Sequence, residues 1–203
     1  MSKSYLIAAS EVEHEIIVNR SRFICFLAPC TSTDQAKTIV KALQQQHPNA
    51  SHHCYAYLSA AADDSRHYGF SDDGEPSGTA GKPMLASLQG GGIGEVCAVV
   101  VRYFGGTKLG TGGLQRAYGA SVREALAFLS SETKIPMVHR GLACQYNQVD
   151  SVLHLLGQAG GEVIEQDYGE HIAMTLSLPS ANLEQFSAAL KTASAGQLAL
   201  VKL

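Results

Sequence analysis

The chain has 203 residues, 45% of them hydrophobic, and a formal net charge of −3, a composition that fits one large or two small globular domains and excludes disorder. The negative net charge excludes a nucleic-acid footprint over the whole surface, and the longest aliphatic run, from Val96 to Val101, is too short to span a bilayer. No secretory signal is visible in MSKSYLIAAS, and five cysteines without a Cys-x-x-Cys pair predict free, mostly buried thiols in a reducing compartment, hence a cytoplasmic address and no membrane.

Residues 14–18 (HEIIV) and 22–28 (RFICFLA) read as strands joined by the polar turn Asn19-Arg20-Ser21. Ser32 and Gln35 have capping-box spacing, and Ala36, Ile39, Val40 and Leu43 then repeat with helical period up to His47-Pro48. A strand is expected over 52–59 (HHCYAYLS), followed by a polar stretch. Residues 69–83, GFSDDGEPSGTAGKP, combine too many glycines and prolines for an ordinary helix or strand. A short helix around 84–89 follows, closed by Gly90-Gly91-Gly92.

EVCAVVVRYF, residues 95–104, is continuously apolar, as expected of a central strand buried on both faces. By analogy with α/β folds, a ligand crevice is expected outside its end. Glycine-rich turns then bracket Lys108, and a helix carries Leu114, Ala117, Tyr118, Val122, Ala125 and Leu129. Fourteen of the 20 glycines lie between Gly69 and Gly119, which concentrates the unusual backbone there.

Residues 130–136 (SSETKIP) lack periodicity and are expected to separate two domains, 1–132 and 137–203. Beyond them the pattern is strand 138–145, helix 148–158, strands 161–168 and 171–178, helix 181–192, strand 196–202. That βαββαβ order is ferredoxin-like. Residues 1–130 carry 11 basic and 11 acidic side chains, whereas residues 131–203 carry 4 and 7. Any phosphate-binding patch is therefore local and lies in the first part.

The standard nucleotide fingerprints fail. A P-loop ending at Gly81-Lys82 would need glycine where Pro76 stands and Ser or Thr where Pro83 stands. A dinucleotide fingerprint begun at Gly110 and Gly112 meets Gln115 at its third glycine. What remains is a strand end at Arg102 that leads through Gly105, Gly106, Lys108 and Gly112 into a helix bearing Arg116. Helix N-termini attract anions through unpaired N–H groups. Asp72, Asp73 and Glu75 have the residue types for a metal or for acid–base work. Asp73-Gly74 reads equally as a turn stiffened by Pro76, and neither metal, cofactor nor catalytic residue is assigned. His52-His53-Cys54 looks like a ligand cluster but is not expected to bind zinc, because adjacent strand residues point to opposite faces.

Taken together, GFSDDGEPSGTAGKP and VVVRYFGGTKLGTGGLQRAYG (99–119) closely resemble the signature of the IMPACT family, in its bacterial branch, and the likeness runs from near residue 10 to the C-terminus. The resemblance implies a mixed α/β (α+β) chain. Its N-terminal domain would be of a ribosomal-protein type similar to a domain of elongation factor G, and its C-terminal domain ferredoxin-like. Eukaryotic members are translation regulators that bind the activator of a stress-responsive initiation-factor kinase, through a family with no agreed catalytic residues; their additional RWD domain has no room in 203 residues. The expected function is a translation-related protein that binds RNA, the ribosome or a protein of the translation machinery. Its binding residues are Asp72, Asp73, Glu75, Thr79 and Lys82 from the first motif with Arg102, Gly105, Gly106, Lys108, Gly112 and Arg116 from the second. Arg102 or Lys82 is expected to pair with one of the three carboxylates, the test pair being Asp73 and Arg102. The alternatives are a hydrolase acting on a phosphate-containing substrate and a purely protein-binding regulator.

Overall fold

The structure, a computed structural model, describes residues 4–203; residues 1–3, where the expected first domain begins, lie outside the described residues. The chain divides into two compact units, Tyr5–Lys134 and Ile135–Leu203. The elements of the first unit are β1 (Tyr5–Ala8), β2 (Val12–Val18), β3 (Ser21–Pro29), α1 (Thr33–Gln46), β4 (His52–Leu58), β5 (Tyr68–Ser71), α2 (Gly81–Gly91), β6 (Ile93–Gly94), β7 (Val96–Tyr103), α3 (Gly110–Leu126) and β8 (Ser131–Lys134).

Five strands form a sheet in the order β2-β3-β7-β4-β5, with every neighbouring pair antiparallel. β7 is central, and its apolar run is explained by helices on both faces. Ala98 and Val100 join a core with Met84 and Leu88 of α2 and Leu114, Tyr118 and Val122 of α3. Cys97, Val99 and Val101 point the other way, onto Ala36, Val40 and Leu43 of α1. Successive side chains alternate across a strand, so a helix on each side makes every position apolar. Because the sheet is antiparallel, the argument that places a crevice at the strand ends of parallel α/β folds does not apply here. What lies outside the end of β7 is built by loops instead.

Ser32 caps α1 by accepting from Gln35 N (3.2 Å), while the Gln35 side chain accepts from Thr31 N (2.9 Å), one residue before the expected partner. α2 starts three residues earlier than the apolar pattern indicated. Pro83 sits in its first turn, where a missing N–H leaves nothing unpaired. The expected linker 130–136 is largely a strand: β8 pairs antiparallel with β1, which also runs parallel to β6. All four β8 residues are exposed, which is why no apolar period marks them. Glu95 anchors this small sheet, accepting from Tyr5 OH (2.7 Å) and Lys134 Nζ (2.6 Å).

The second unit contains β9 (Met137–Cys144), α4 (Val149–Gln158), β10 (Glu162–Tyr168), β11 (Ile172–Pro179), α5 (Leu183–Ala193) and β12 (Val201–Lys202). The sheet order β10-β11-β9-β12, antiparallel throughout, is that of the ferredoxin-like pattern. Ile172, Met174, Leu176 and Leu178 alternate inward onto Val152 and Leu156 of α4 and Phe186 and Leu190 of α5. The last strand is shorter than expected, with only Val201 and Lys202 paired. Among the described residues no helix is long and apolar enough to cross a membrane.

Candidate functional site

The acidic motif is not one irregular loop. Its first residues continue β5, its last open α2, and the segment between is organised by its own carboxylates. Asp72 accepts from Gly78 N (2.8 Å), Ala80 N (3.0 Å) and Gly81 N (2.8 Å), which caps the start of α2. Burial alone would raise its pKa; the three N–H bonds outweigh this and hold the carboxyl below its usual range. Asp73 (φ 43°) and Gly74 (φ 84°) both take left-handed backbone, making the turn that the Asp-Gly pair suggested. The Asp73 carboxylate accepts from His53 N (2.6 Å) and its carbonyl from His52 Nδ1 (2.8 Å). Thr79, 2% exposed, closes the loop by donating to Pro76 O (2.6 Å).

Glu75 turns inward and is only 8% exposed. Its Oε1 accepts from Arg102 Nη1 (2.5 Å) and Tyr118 OH (2.8 Å), with His52 Nε2 3.8 Å away. The expected link between the motifs therefore exists, but through Glu75. The Asp73–Arg102 pairing is corrected: Asp73 serves the backbone of β4, while the following turn directs Glu75 under the sheet end. Cys54 extends the network, donating to Asp72 O (3.0 Å) and Tyr118 OH (3.3 Å). Burial pushes the Cys54 thiol up to about 12 and, with Cys54 and Glu75 beside it, raises Tyr118 far above the ordinary phenol range. Both stay protonated at neutral pH and act as hydrogen-bond donors.

Arg102, at 5% exposure, lies over the rings of Phe23 and Phe104, 5.2 and 5.6 Å from their centroids. Its Nη2 reaches Ser21 Oγ at 3.5 Å, and Nε has no hydrogen-bond partner among the described residues. Ser21 Oγ also accepts from Gly105 N (3.1 Å). Only glycine fits there, since a Cβ at 105 would stand 2.1 Å from the carbonyl carbon of Arg20. The chain then turns through Gly106 (φ 85°) and exposed Thr107 and Lys108 into α3, whose N-cap residue Leu109 has no side-chain cap hydrogen bond to its first N–H groups. Gln115 Nε2 donates to Gly78 O (3.4 Å), a second tie between the motifs.

The expected residues thus come together at the end of β7 but divide by direction. Asp72, Glu75, Thr79 and Arg102 face inward and brace the loops, and Gly105 is pressed onto the neighbouring turn. Asp73, Lys82, Gly106, Lys108 and Arg116 are exposed, with Gly112 partly so. Arg20, Lys82, Lys108 and Arg116 make no side-chain hydrogen bond or ion pair among the described residues. Sequence reasoning missed Tyr118, His52 and Ser21, which complete the network, and Phe104. Tyr118 carried a signal in retrospect, a phenol within an otherwise aliphatic helix face. No three His, Cys, Asp or Glu side chains among the described residues converge as a metal site requires. All five cysteines are free and buried.

Comparison with known proteins places this geometry. A family model for the Impact N-terminal domain matches residues 19–126, and one for a domain of unknown function, DUF1949, matches 142–197. The Escherichia coli (strain K12) protein called IMPACT family member YigZ is 47% identical over 98% of this chain and 98% of its own length. A Haemophilus influenzae IMPACT family member is 43% identical over 97% of this chain and 95% of its own. Bacillus subtilis YvyE is 36% identical over 92% and 85%. A crystal structure described as that of a hypothetical protein covers 100% of this chain and 98% of its own, with a TM-score of 0.71 at 45% identity.

Proposed function

This chain belongs to the IMPACT family, and from that premise we propose that it is a translation-related regulator that binds RNA through the glycine-rich face of its N-terminal unit. Family membership supports a regulatory or translation-related role in general; RNA as the ligand is the finer reading. One observation carries it. The carboxylates of the face are turned onto its own backbone and onto Arg102, while Lys82, Lys108 and Arg116 point out unpaired beside the uncapped start of α3. Of the three carboxylates only Asp73 is exposed, against three exposed cations, on a chain of net charge −3. Cations and free N–H groups together suit a phosphate backbone. Cys54 and Tyr118 are held protonated and so offer no thiolate or phenolate nucleophile at this face.

The test is fluorescence anisotropy of the full chain with labelled single-stranded RNA across a salt series. Binding should weaken with salt, and Lys108→Ala and Arg116→Ala should each lower affinity and reduce the salt slope by about one contact, with unchanged melting temperature. Salt-independent binding, or slopes untouched by both substitutions, would refute the assignment to this face. Capture of a protein with no RNA affinity would replace it with the protein-binding alternative.

A further inference from the structure

Phe104 is 49% exposed, although it directly follows β7, seven of whose eight residues are buried. The ring is held in place from beneath. Its backbone N donates to Ser51 Oγ (3.2 Å), and the Arg102 guanidinium lies 5.6 Å from the ring centroid. That guanidinium is itself fixed by the bond to Glu75 and by the Phe23 ring, 5.2 Å away. A planar apolar surface so fixed loses little freedom when something stacks on it. Other exposed aromatics lack this setting: Phe128 stacks on His14, Tyr68 and Phe70 lie on the edge strand β5, and Tyr146 and Tyr168 belong to the second unit.

The chain around Phe104 carries cations. Gly105 packs onto the backbone of Arg20, and Lys108 follows four residues later; both side chains are exposed and without hydrogen-bond or ion-pair partners among the described residues. An aromatic face flanked by free cations matches a ligand with alternating flat apolar and anionic groups, which describes an unpaired nucleotide and does not describe an apolar peptide. Duplex bases are stacked on each other and offer no face.

We propose that Phe104 is a stacking platform for an unpaired base of single-stranded RNA, whose phosphates are held by Arg20 and Lys108. This rests on the RNA reading of the same face and narrows it to single-stranded or looped-out segments. Glu75 and Arg102 are positioning residues: they hold the platform and do not touch the ligand.

The experiment uses the full chain and a single-stranded RNA of about ten nucleotides with a fluorescent adenine analogue at its centre. Wild type should prefer this RNA to a duplex of the same length and quench the analogue on binding. Phe104→Ala and Phe104→Leu should each lose roughly 5- to 100-fold in affinity, and the quenching, at unchanged salt slope. Phe104→Trp should keep both. The leucine variant preserves apolar packing over Arg102, so its loss cannot be ascribed to unfolding. Lys108→Ala should lower the slope but quench at saturation. If both the alanine and leucine variants bind as wild type while Lys108→Ala weakens binding, stacking is wrong and the phosphate reading stands. If leucine restores what alanine loses, the ring is only apolar filler and the platform is refuted. If wild type binds no RNA at all, both readings fall.

Discussion

Glu75→Gln removes the charge that compensates Arg102 and leaves the shape almost unchanged. The pair is out of water, with side-chain exposures of 6% for Arg102 and 4% for Glu75. Breaking such a pair from one side costs about 3–5 kcal/mol, because the remaining charge stays buried and uncompensated. Arginine cannot escape by losing its proton, and its other contacts are a 3.5 Å approach to Ser21 and two aromatic rings. Arg102→Met should cost less. The carboxylate left behind keeps the Tyr118 hydroxyl and has His52 3.8 Å away. For a unit of about 130 residues, Glu75→Gln should lower the melting temperature by about 10–20 °C. The double variant Glu75→Gln/Arg102→Met should recover most of that loss. Urea titration of the four proteins, followed by tyrosine fluorescence and circular dichroism, measures the cycle. A cost below about 1 kcal/mol for Glu75→Gln, or a double variant equal to the sum of the singles, would show that the ion pair does not hold the two motifs together.

Asp72→Ala should destabilise the N-terminal unit by about 0.5–2 kcal/mol at neutral pH through loss of the α2 cap. Since the folded pKa of Asp72 is lowered, its contribution is present above the unfolded value near 4 and disappears as pH falls through the folded one. The gap between variant and wild-type melting temperatures should therefore close below about pH 4, and a constant gap would contradict the capping role. Gly105→Ala should cost about 1–3 kcal/mol, because its Cβ meets the Arg20 carbonyl; a neutral effect on thermal unfolding would show that this loop adjusts freely. We also propose that the two units are separable domains. Limited proteolysis should then cut near Ile135 and leave a fragment whose cooperative unfolding matches one phase of the intact chain, and a single indivisible transition would count against it.

Legibility in the sequence followed burial. Strands β3, β7 and β11 and helices α1, α3 and α5 bury one or both faces, so their apolar spacing announced them. β1, β5, β6 and β8 were invisible for the opposite reason. β5 and β8 are short and largely exposed, and β6 is two residues long. Pairing of their backbones depends on partners far away in the chain, such as Tyr5 opposite Lys134. The start of α2 was hidden because its signal is Asp72, nine residues upstream of Gly81, a distance no local capping rule spans.

The site was legible as a location and only partly as an arrangement. Composition marked 69–83 and 102–116 as unusual, and both lie at the end of β7. What the letters do not contain is direction. Asp72, Asp73 and Glu75 are near neighbours with similar side chains, yet they serve a helix start, a strand backbone and a buried guanidinium respectively. The left-handed turn at Asp73-Gly74 separates them. This resolves why a face proposed to bind phosphate carries so many carboxylates. An exposed carboxylate beside Lys108 would repel the ligand; one turned inward satisfies N–H groups that a glycine-rich loop would otherwise leave open, and fixes the loop without presenting its charge. Because Glu75 also neutralises Arg102 beneath the sheet end, the charge left facing outward is that of the cations and of Asp73, whose exposed carboxylate is tied to His53 N.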